Sequence, residues 1–161
     1  MRVIKTVFGL ALAMLLVAAC AFSPLRPGMS REEVVAHYGQ PSRVLPLPAG
    51  TRLQYSSEPA GQSVLMVDLD PEGRVVTVHQ MMTLAELSKI EPLKWTREDV
   101  EREFGRPASV DRVGSWPGDI LTYRWLDLTQ DMYFWVYLDG HNVVQRTGQG
   151  MEIPVRMNDN D

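Results

Sequence analysis

Few side chains in this sequence are of the kinds that make or break bonds, and their spacing does not group them into a catalytic or metal-binding motif. The three histidines, His37, His79 and His141, are dispersed along the chain without the spacing of metal ligands. Residues 68–73 have only part of the acidic spacing of a calcium loop, and a strand end followed by a turn explains them as well. Neither a glycine-rich phosphate loop nor a nucleophile elbow occurs. We therefore expect no catalytic residues, no metal and no cofactor.

The single cysteine, Cys20, has the most distinctive surroundings of any reactive side chain. Arg2 and Lys5 form a basic start, and an apolar run of 13 residues from Val7 to Ala19 suits a signal peptide but is too short to span a membrane. The segment resembles a bacterial lipoprotein signal with its lipobox. The resemblance implies removal of residues 1–19 and acylation of Cys20 by fatty chains such as palmitate. A plain secretory signal with an accidental cysteine is the alternative.

The predicted location is the periplasmic face of the bacterial outer membrane. Several acyl chains on Cys20 make anchoring in the bilayer reasonable, because a single chain binds only marginally. In lipoproteins of this kind an aspartate after the cysteine implies retention in the inner membrane, and this chain has Ala21 there. Residues 20–28 form a lipidated tether. The net charge of −4 argues against nucleic acid as a partner.

A short sequence motif occurs twice in the chain and predicts two matching helices. Residues 30–44 and 96–110 align without a gap at an offset of 66 residues. In each copy a Ser or Thr stands three residues before an acidic residue, which is the spacing of a capping box. Glycine and then proline end each copy, which predicts helices at about 31–38 and 97–104. Two copies in one register indicate an internal repeat.

Each predicted helix is followed by four segments rich in strand-forming residues, separated by turn signals. The expected strands are 42–47, 51–57, 63–70 and 74–82 in the first half, and 108–113, 119–126, 132–139 and 142–148 in the second. Asp139 and Gly140 are typical of a two-residue hairpin turn. A further short helix is expected at 83–90.

The expected fold class is α+β, as two tandem repeats of a helix plus a four-stranded antiparallel meander. Helices pack on one face of the sheet, and the simplest assembly joins both sheets edge to edge. The predicted divisions after the signal and tether are a first repeat at 29–82, a linker helix at 83–93, a second repeat at 94–150 and a flexible tail at 151–161.

The first copy of this sequence motif resembles the pattern of a known protein family. Gly28-Met29-Ser30, with Glu33, Val34, Gly39 and Pro41 at their spacings, resembles the SmpA/OmlA (BamE-like) outer-membrane lipoproteins. That resemblance implies a helix-and-sheet fold and a role accessory to assembly of outer-membrane proteins. The tandem arrangement is similar to the β-lactamase-inhibitor-protein (BLIP-like) fold, in which two such units grip a protein.

One strand of the second repeat has an unusual row of large side chains. If Phe134 and its alternate neighbours face the helix, then Tyr133, Trp135 and Tyr137 share the opposite face, because side chains alternate along a strand. Arg124 lies on that face by the same parity. Tyr, Trp and Arg are enriched at protein interfaces, so we expect a partner-binding surface there. The alternative is that the C-terminal segment or the linker covers this face.

Trp116 is a further contact candidate, because residues 114–118 are typical of a loop tip. In the alternative, Trp116 folds back onto the sheet. The expected function is a lipid-anchored protein-binding module with a protein partner in the cell envelope and no small-molecule substrate. A second hypothesis is an inhibitor of a periplasmic enzyme, and a third is a hydrolase whose site the sequence does not reveal.

Overall fold

The computed structural model describes residues 24–153, so the predicted signal peptide, Cys20 and the end of the predicted tail lie outside the described residues. The described part is α+β, with two antiparallel four-stranded sheets and short helices. Sheet 1 has the order β1-β2-β3-β4 and sheet 2 the order β5-β6-β7-β8. The elements are α1 (Arg31–Tyr38), β1 (Arg43–Leu47), β2 (Gly50–Ser56), β3 (Val64–Leu69), β4 (Val75–Gln80), α2 (Leu84–Leu87), α3 (Arg97–Phe104), β5 (Ser109–Asp111), β6 (Ile120–Asp127), β7 (Gln130–Leu138) and β8 (Val144–Met151).

Helices α1 and α3 span the predicted residues, and both begin with a complete capping box. The Ser30 hydroxyl accepts a hydrogen bond from the Glu33 N–H, and the Glu33 carboxylate accepts one from the Ser30 N–H. Both helices end at a glycine with positive φ: Gly39 has φ 76° and ψ −163°, and Gly105 has φ 77° and ψ −169°. This combination with extended ψ, rather than the left-handed helical one, is essentially restricted to glycine. Within the described residues, no helix has the length and hydropathy needed to cross a bilayer.

Two connecting segments, a short helix and a turn, differ from their predicted form. The linker helix is shorter than predicted, spanning Leu84–Leu87 after its cap at Thr83. The turn after β7 is longer than two residues, because the Asp139 carboxylate accepts hydrogen bonds from the N–H groups of His141 and Val143. These bonds hold the pKa of Asp139 below its ordinary value. They also close a wider loop before β8 begins.

The two sheets do not join edge to edge, which corrects the simplest assembly expected from the sequence. Helix α3 instead lies between them. Its buried side chains Val100 and Phe104 pack against sheet 2, and the same hydrophobic cluster includes Val64 and Met66 from sheet 1. Since α1 packs through Val34 on the other face of sheet 1, the layers follow the order α1, sheet 1, α3, sheet 2.

Polar contacts attach the C-terminal end of α3 to sheet 1. Arg52 forms ion pairs with Asp68 at 2.6 Å and with Glu103 of α3 at 2.7 Å. Arg43 Nη1 donates to the Glu101 carbonyl at 3.1 Å, and the same carbonyl accepts a hydrogen bond from the Gly105 N–H at the end of the helix. The expectation that helices occupy one face only is therefore wrong for sheet 1. The face of sheet 1 opposite α1, which we call its far face, contacts the C-terminal end of α3.

Candidate partner-binding surface

The far face of sheet 2 carries the aromatic row expected from the sequence. Along β7, the buried residues Phe134, Val136 and Leu138 alternate with half-buried Tyr133, Trp135 and Tyr137. The buried set packs toward α3. We call the side of sheet 2 that carries Tyr133, Trp135 and Tyr137 the aromatic face. It has no helix of the described residues packed on it in the way that α3 packs on sheet 1.

Two glycines of β8 make room for the indole of Trp135. Gly148 is the direct cross-strand neighbour of Trp135, and a Cβ there would lie 3.7 Å from the indole. A Cβ on Gly150 would lie only 2.8 Å from the Trp135 ring atom Cη2, closer than such atoms approach. The indole therefore lies across β8, with its rim against backbone. Tyr133 packs beside it, with ring centroids 6.1 Å apart.

Trp116 folds back onto the sheet and does not stand free at a loop tip. Its Nε1 donates to the Leu138 carbonyl at 2.6 Å, and its ring meets Tyr137 edge-on with centroids 5.2 Å apart. This is the alternative that the sequence left open. Trp116 thereby extends the aromatic face beyond β7.

Arg146 is a member of the aromatic face that the sequence reasoning missed. Its guanidinium carbon lies 3.6 Å from the centroid of the Tyr137 ring and 5.2 Å from that of Trp116. A β-bulge shifts the register between β7 and β8, so that Arg146 pairs with Tyr137 on the aromatic face while Val144 pairs with Leu138 on the inner face. Simple alternation from Val144 would place Arg146 on the inner face.

Arg124 lies at the edge of the aromatic face, but its guanidinium has partners within the chain. Nε forms an ion pair with Glu152 at 2.8 Å, and Nη1 donates to the carbonyls of Pro59 and Ala60 at 3.1 and 3.2 Å. Arg146 makes cation–π contacts on this face, while Arg124 ties the β2–β3 loop and the segment after β8 to sheet 2. β8 itself runs through Met151, beyond the boundary predicted for the second unit.

A groove of about 570 Å³ opens between these groups. Its lining combines aromatic rings with charged and hydroxyl groups, among them Asp111, Thr122, Arg124, Tyr133, Trp135 and Glu152. The Asp111 carboxylate accepts a hydrogen bond from Ser109 Oγ at 2.9 Å. Among the described residues no cluster of three histidine, cysteine or acidic side chains is placed to hold a metal. The lining thus combines groups that can stack with groups that can form hydrogen bonds.

Glu58, on the β2–β3 loop, connects the two halves through a titratable group. Its Oε1 accepts a hydrogen bond from the Arg124 N–H at 2.8 Å, whereas its Oε2 is buried without a partner. Burial raises the pKa of Glu58 from 4.5 to about 7, against the opposing effect of Arg124 and with a small addition from Glu152. An acid whose pKa is raised by folding binds protons more tightly in the folded chain, so its stabilising contribution is lost as pH rises from about 4.5 to 7.

Glu58→Gln should remove this pH dependence. We expect the variant to exceed the parent in free energy of unfolding by about 1–2 kcal/mol at pH 8, allowing for solvent screening of a partly exposed carboxyl, and to match it near pH 4.5. Urea unfolding at both pH values measures the difference. If the free energy of unfolding changed between pH 4.5 and pH 8 by the same amount in the parent and in the variant, the assignment would be contradicted.

Comparisons with known proteins assign no family to this chain. No family model and no curated protein matches it. One solved structure with a slight likeness is a DUF4309 family protein, YjgB, from Bacillus subtilis. The likeness covers 76% of this chain and 78% of that one, at 12% sequence identity and a TM-score of 0.31.

Proposed function

We propose that this protein is a lipid-anchored module of the bacterial envelope that binds a protein partner on the aromatic face. Acylated Cys20 holds it at the periplasmic side of the outer membrane, and residues 20–28 connect the lipid to the fold. The proposed activity is recognition without bond making or breaking, and the aromatic rings, the arginine and the groove of this face support it. The resemblance to the SmpA/OmlA lipoproteins adds a role in envelope or outer-membrane protein assembly.

The proposal includes a tandem architecture in which both units are copies of one helix-plus-meander block. Its support is that the same hydrogen bonds to backbone carbonyls recur in both halves. The Tyr55 hydroxyl donates to the Gly39 carbonyl at 3.2 Å, and the Tyr123 hydroxyl donates to the Gly105 carbonyl at 2.9 Å. In both units the first residue of the last strand also donates a backbone hydrogen bond to the residue that precedes the helix cap. The Val75 N–H donates to the Met29 carbonyl at 2.8 Å, and the Val144 N–H donates to the Trp95 carbonyl at 2.9 Å.

The observation that carries the proposal is the difference between the two far faces. On sheet 1, Val64 and Met66 are buried beneath the second unit. The matching positions of sheet 2 are Tyr133 and Trp135, which are half-buried and line a groove. Large aromatic side chains that lose solvent on binding are the commonest anchors of protein interfaces. A face with this composition and with no helix of the described residues on it is suited to a protein partner.

A Trp135→Ala variant tests the proposed surface. We expect capture of envelope proteins by the purified chain to weaken at least tenfold, or by about 1.4 kcal/mol or more, since a central aromatic anchor is lost. Stability should fall by only about 1 kcal/mol, because Trp135 is half-buried. Val76→Ala, which truncates an exposed apolar residue of the first unit, is the matched control and should bind normally.

An activity screen on periplasmic hydrolases with the same variant separates the proposal from the inhibitor hypothesis. An inhibitor would block a periplasmic hydrolase in an activity screen and lose that effect in the Trp135→Ala variant. Trp116 is bonded to the Leu138 carbonyl and does not protrude, so an inhibitory contact would have to come from β7. Equal capture by the parent and Trp135→Ala would remove the aromatic face from the binding site.

A further inference from the structure

We infer that the segment bound on the aromatic face is an acidic amphipathic α-helix of the partner protein. This inference rests on the proposed function and specifies the shape and charge of what binds. It comes from a place within residues 24–153 where a corresponding face is already occupied. The far face of sheet 1 binds α3, and the aromatic face is the corresponding surface of sheet 2.

The interface between sheet 1 and α3 shows what this kind of face accommodates. Apolar side chains of β3, Val64 and Met66, pack in the cluster that contains Phe104. A cation on the sheet, Arg52, binds a carboxylate of the helix, Glu103, at 2.7 Å. The far face of sheet 1 thus accommodates the end of α3 that carries the apolar ring of Phe104 and the carboxylate of Glu103.

The aromatic face has the same two components, an apolar pair at the corresponding positions of the strand and a cation, which lies on β8 rather than on the strand that corresponds to β2. Tyr133 and Trp135 stand where β3 has Val64 and Met66, and they provide the larger apolar surface. On sheet 1 the guanidinium of Arg52 forms an ion pair with Asp68 of β3. The residue of β7 that corresponds to Asp68 is Tyr137, and the guanidinium carbon of Arg146 lies 3.6 Å from the centroid of its ring.

Arg146 supplies the charge argument for an acidic helix. Within residues 24–153 its guanidinium contacts two aromatic rings and forms no ion pair, in contrast to Arg52 and Arg124. The side chain is exposed on the face. A guanidinium whose carbon lies over a ring still has N–H donors at its edge, and a carboxylate can accept two of them.

Helix α1 of a second copy is a poor candidate for this position. It is the counterpart of α3, but His37 stands where α3 has Glu103, so α1 lacks the carboxylate that the docked helix uses. Stacking of this kind would also not close, and copies would add to one another without limit. The charge therefore favours a helix from a different protein.

Peptide titration of the chain from residue 20 to 161 with Cys20→Ser tests the inference. The probes are three 16-residue peptides: a helical one with leucines on one face and glutamates on the others, the same peptide with lysines for glutamates, and the glutamate peptide with a central proline. The four tryptophans provide the readout through their indole N–H resonances in NMR spectra. Trp116 and Trp135 lie on the aromatic face, and Trp95 and Trp125 lie in the core cluster and serve as internal controls.

The glutamate peptide should shift the Trp116 and Trp135 signals and leave those of Trp95 and Trp125 in place. We expect it to bind at least fivefold tighter than the lysine peptide and at least tenfold tighter than the proline peptide. Arg146→Glu should reverse the preference between glutamate and lysine peptides, which a loss of folding would not do. The Trp95 and Trp125 signals report whether that variant remains folded.

Several results would overturn the inference. Equal binding of the proline peptide would indicate an extended segment, and a preference for lysine that Arg146→Glu does not change would contradict the charge argument. Shifts that depend on protein concentration without peptide would indicate a second copy. Binding that appears only in a chain ending at Ile153 would mean that residues 154–161 occupy the face. Absence of binding to all three peptides would reject the helix while leaving partner capture through Trp135 as a separate result.

Discussion

Phe104→Ala should lower the free energy of unfolding by about 3–5 kcal/mol, the largest loss we expect from a single side chain of this fold. Phe104 is only 1% exposed and belongs to the cluster in which side chains of α3, sheet 1 and sheet 2 meet. Its ring packs against Trp95 and Tyr123, with centroids 6.3 and 6.2 Å away. Truncation would leave a cavity at the layer that joins both halves, so the halves should unfold together.

Tyr38→Ala is the matched control, because Tyr38 is the counterpart of Phe104 in α1. Tyr38 is half-buried and packs on Tyr55 with centroids 5.7 Å apart, at the outer side of sheet 1. We expect a loss of about 1–2 kcal/mol there. Urea unfolding measures both values. Equal losses in the two variants would mean that α3 is not the layer on which the two sheets depend.

Cys20→Ser should move the protein from the membrane fraction to the soluble periplasm almost completely. The proposed acyl chains are attached through Cys20, and no helix within residues 24–153 can span a bilayer. Without the acyl chains, the tether has no apolar group of comparable size to insert into the bilayer. Fractionation of cells followed by detection of the protein in each fraction measures the distribution. Retention of the serine variant in membranes would contradict lipid anchoring.

Ala21→Asp is the companion variant for the location. If the resemblance to bacterial lipoproteins holds, an aspartate after the acylated cysteine should shift the protein from the outer to the inner membrane and leave it lipidated. Separation of the two membranes by density shows the shift. An unchanged distribution would reject the role assigned to this position and leave the anchoring result untouched.

The helices were predictable from the sequence because their signals are local. Each cap involves residues three apart, and each stop is a glycine whose conformation other residues rarely adopt. The stacking of sheet 1 on α3 was not predicted, because that contact joins residues far apart in the chain. One signal was present: Val64 to Val67 is a continuous apolar run, which is typical of a strand buried on both faces.

The candidate site was predictable in part for a similar reason. Alternation along β7 places Tyr133, Trp135 and Tyr137 correctly, since that strand is regular between Gln130 and Leu138. Arg146 was missed because a bulge shifts the register beside it. The partners of Arg124 come from the β2–β3 loop and from Glu152, so its role depends on tertiary contacts that periodicity does not contain.

Photocrosslinking in whole cells is the most direct test of binding on the aromatic face. A photoreactive amino acid at position 135 should give a light-dependent adduct with a specific envelope protein, because the indole it replaces lies in the groove. The same amino acid at position 76, an exposed site on the first unit, is the control and should give none. A discrete adduct at position 135 alone is the result this account predicts. No adduct at 135, or the same adduct at both positions, would contradict it.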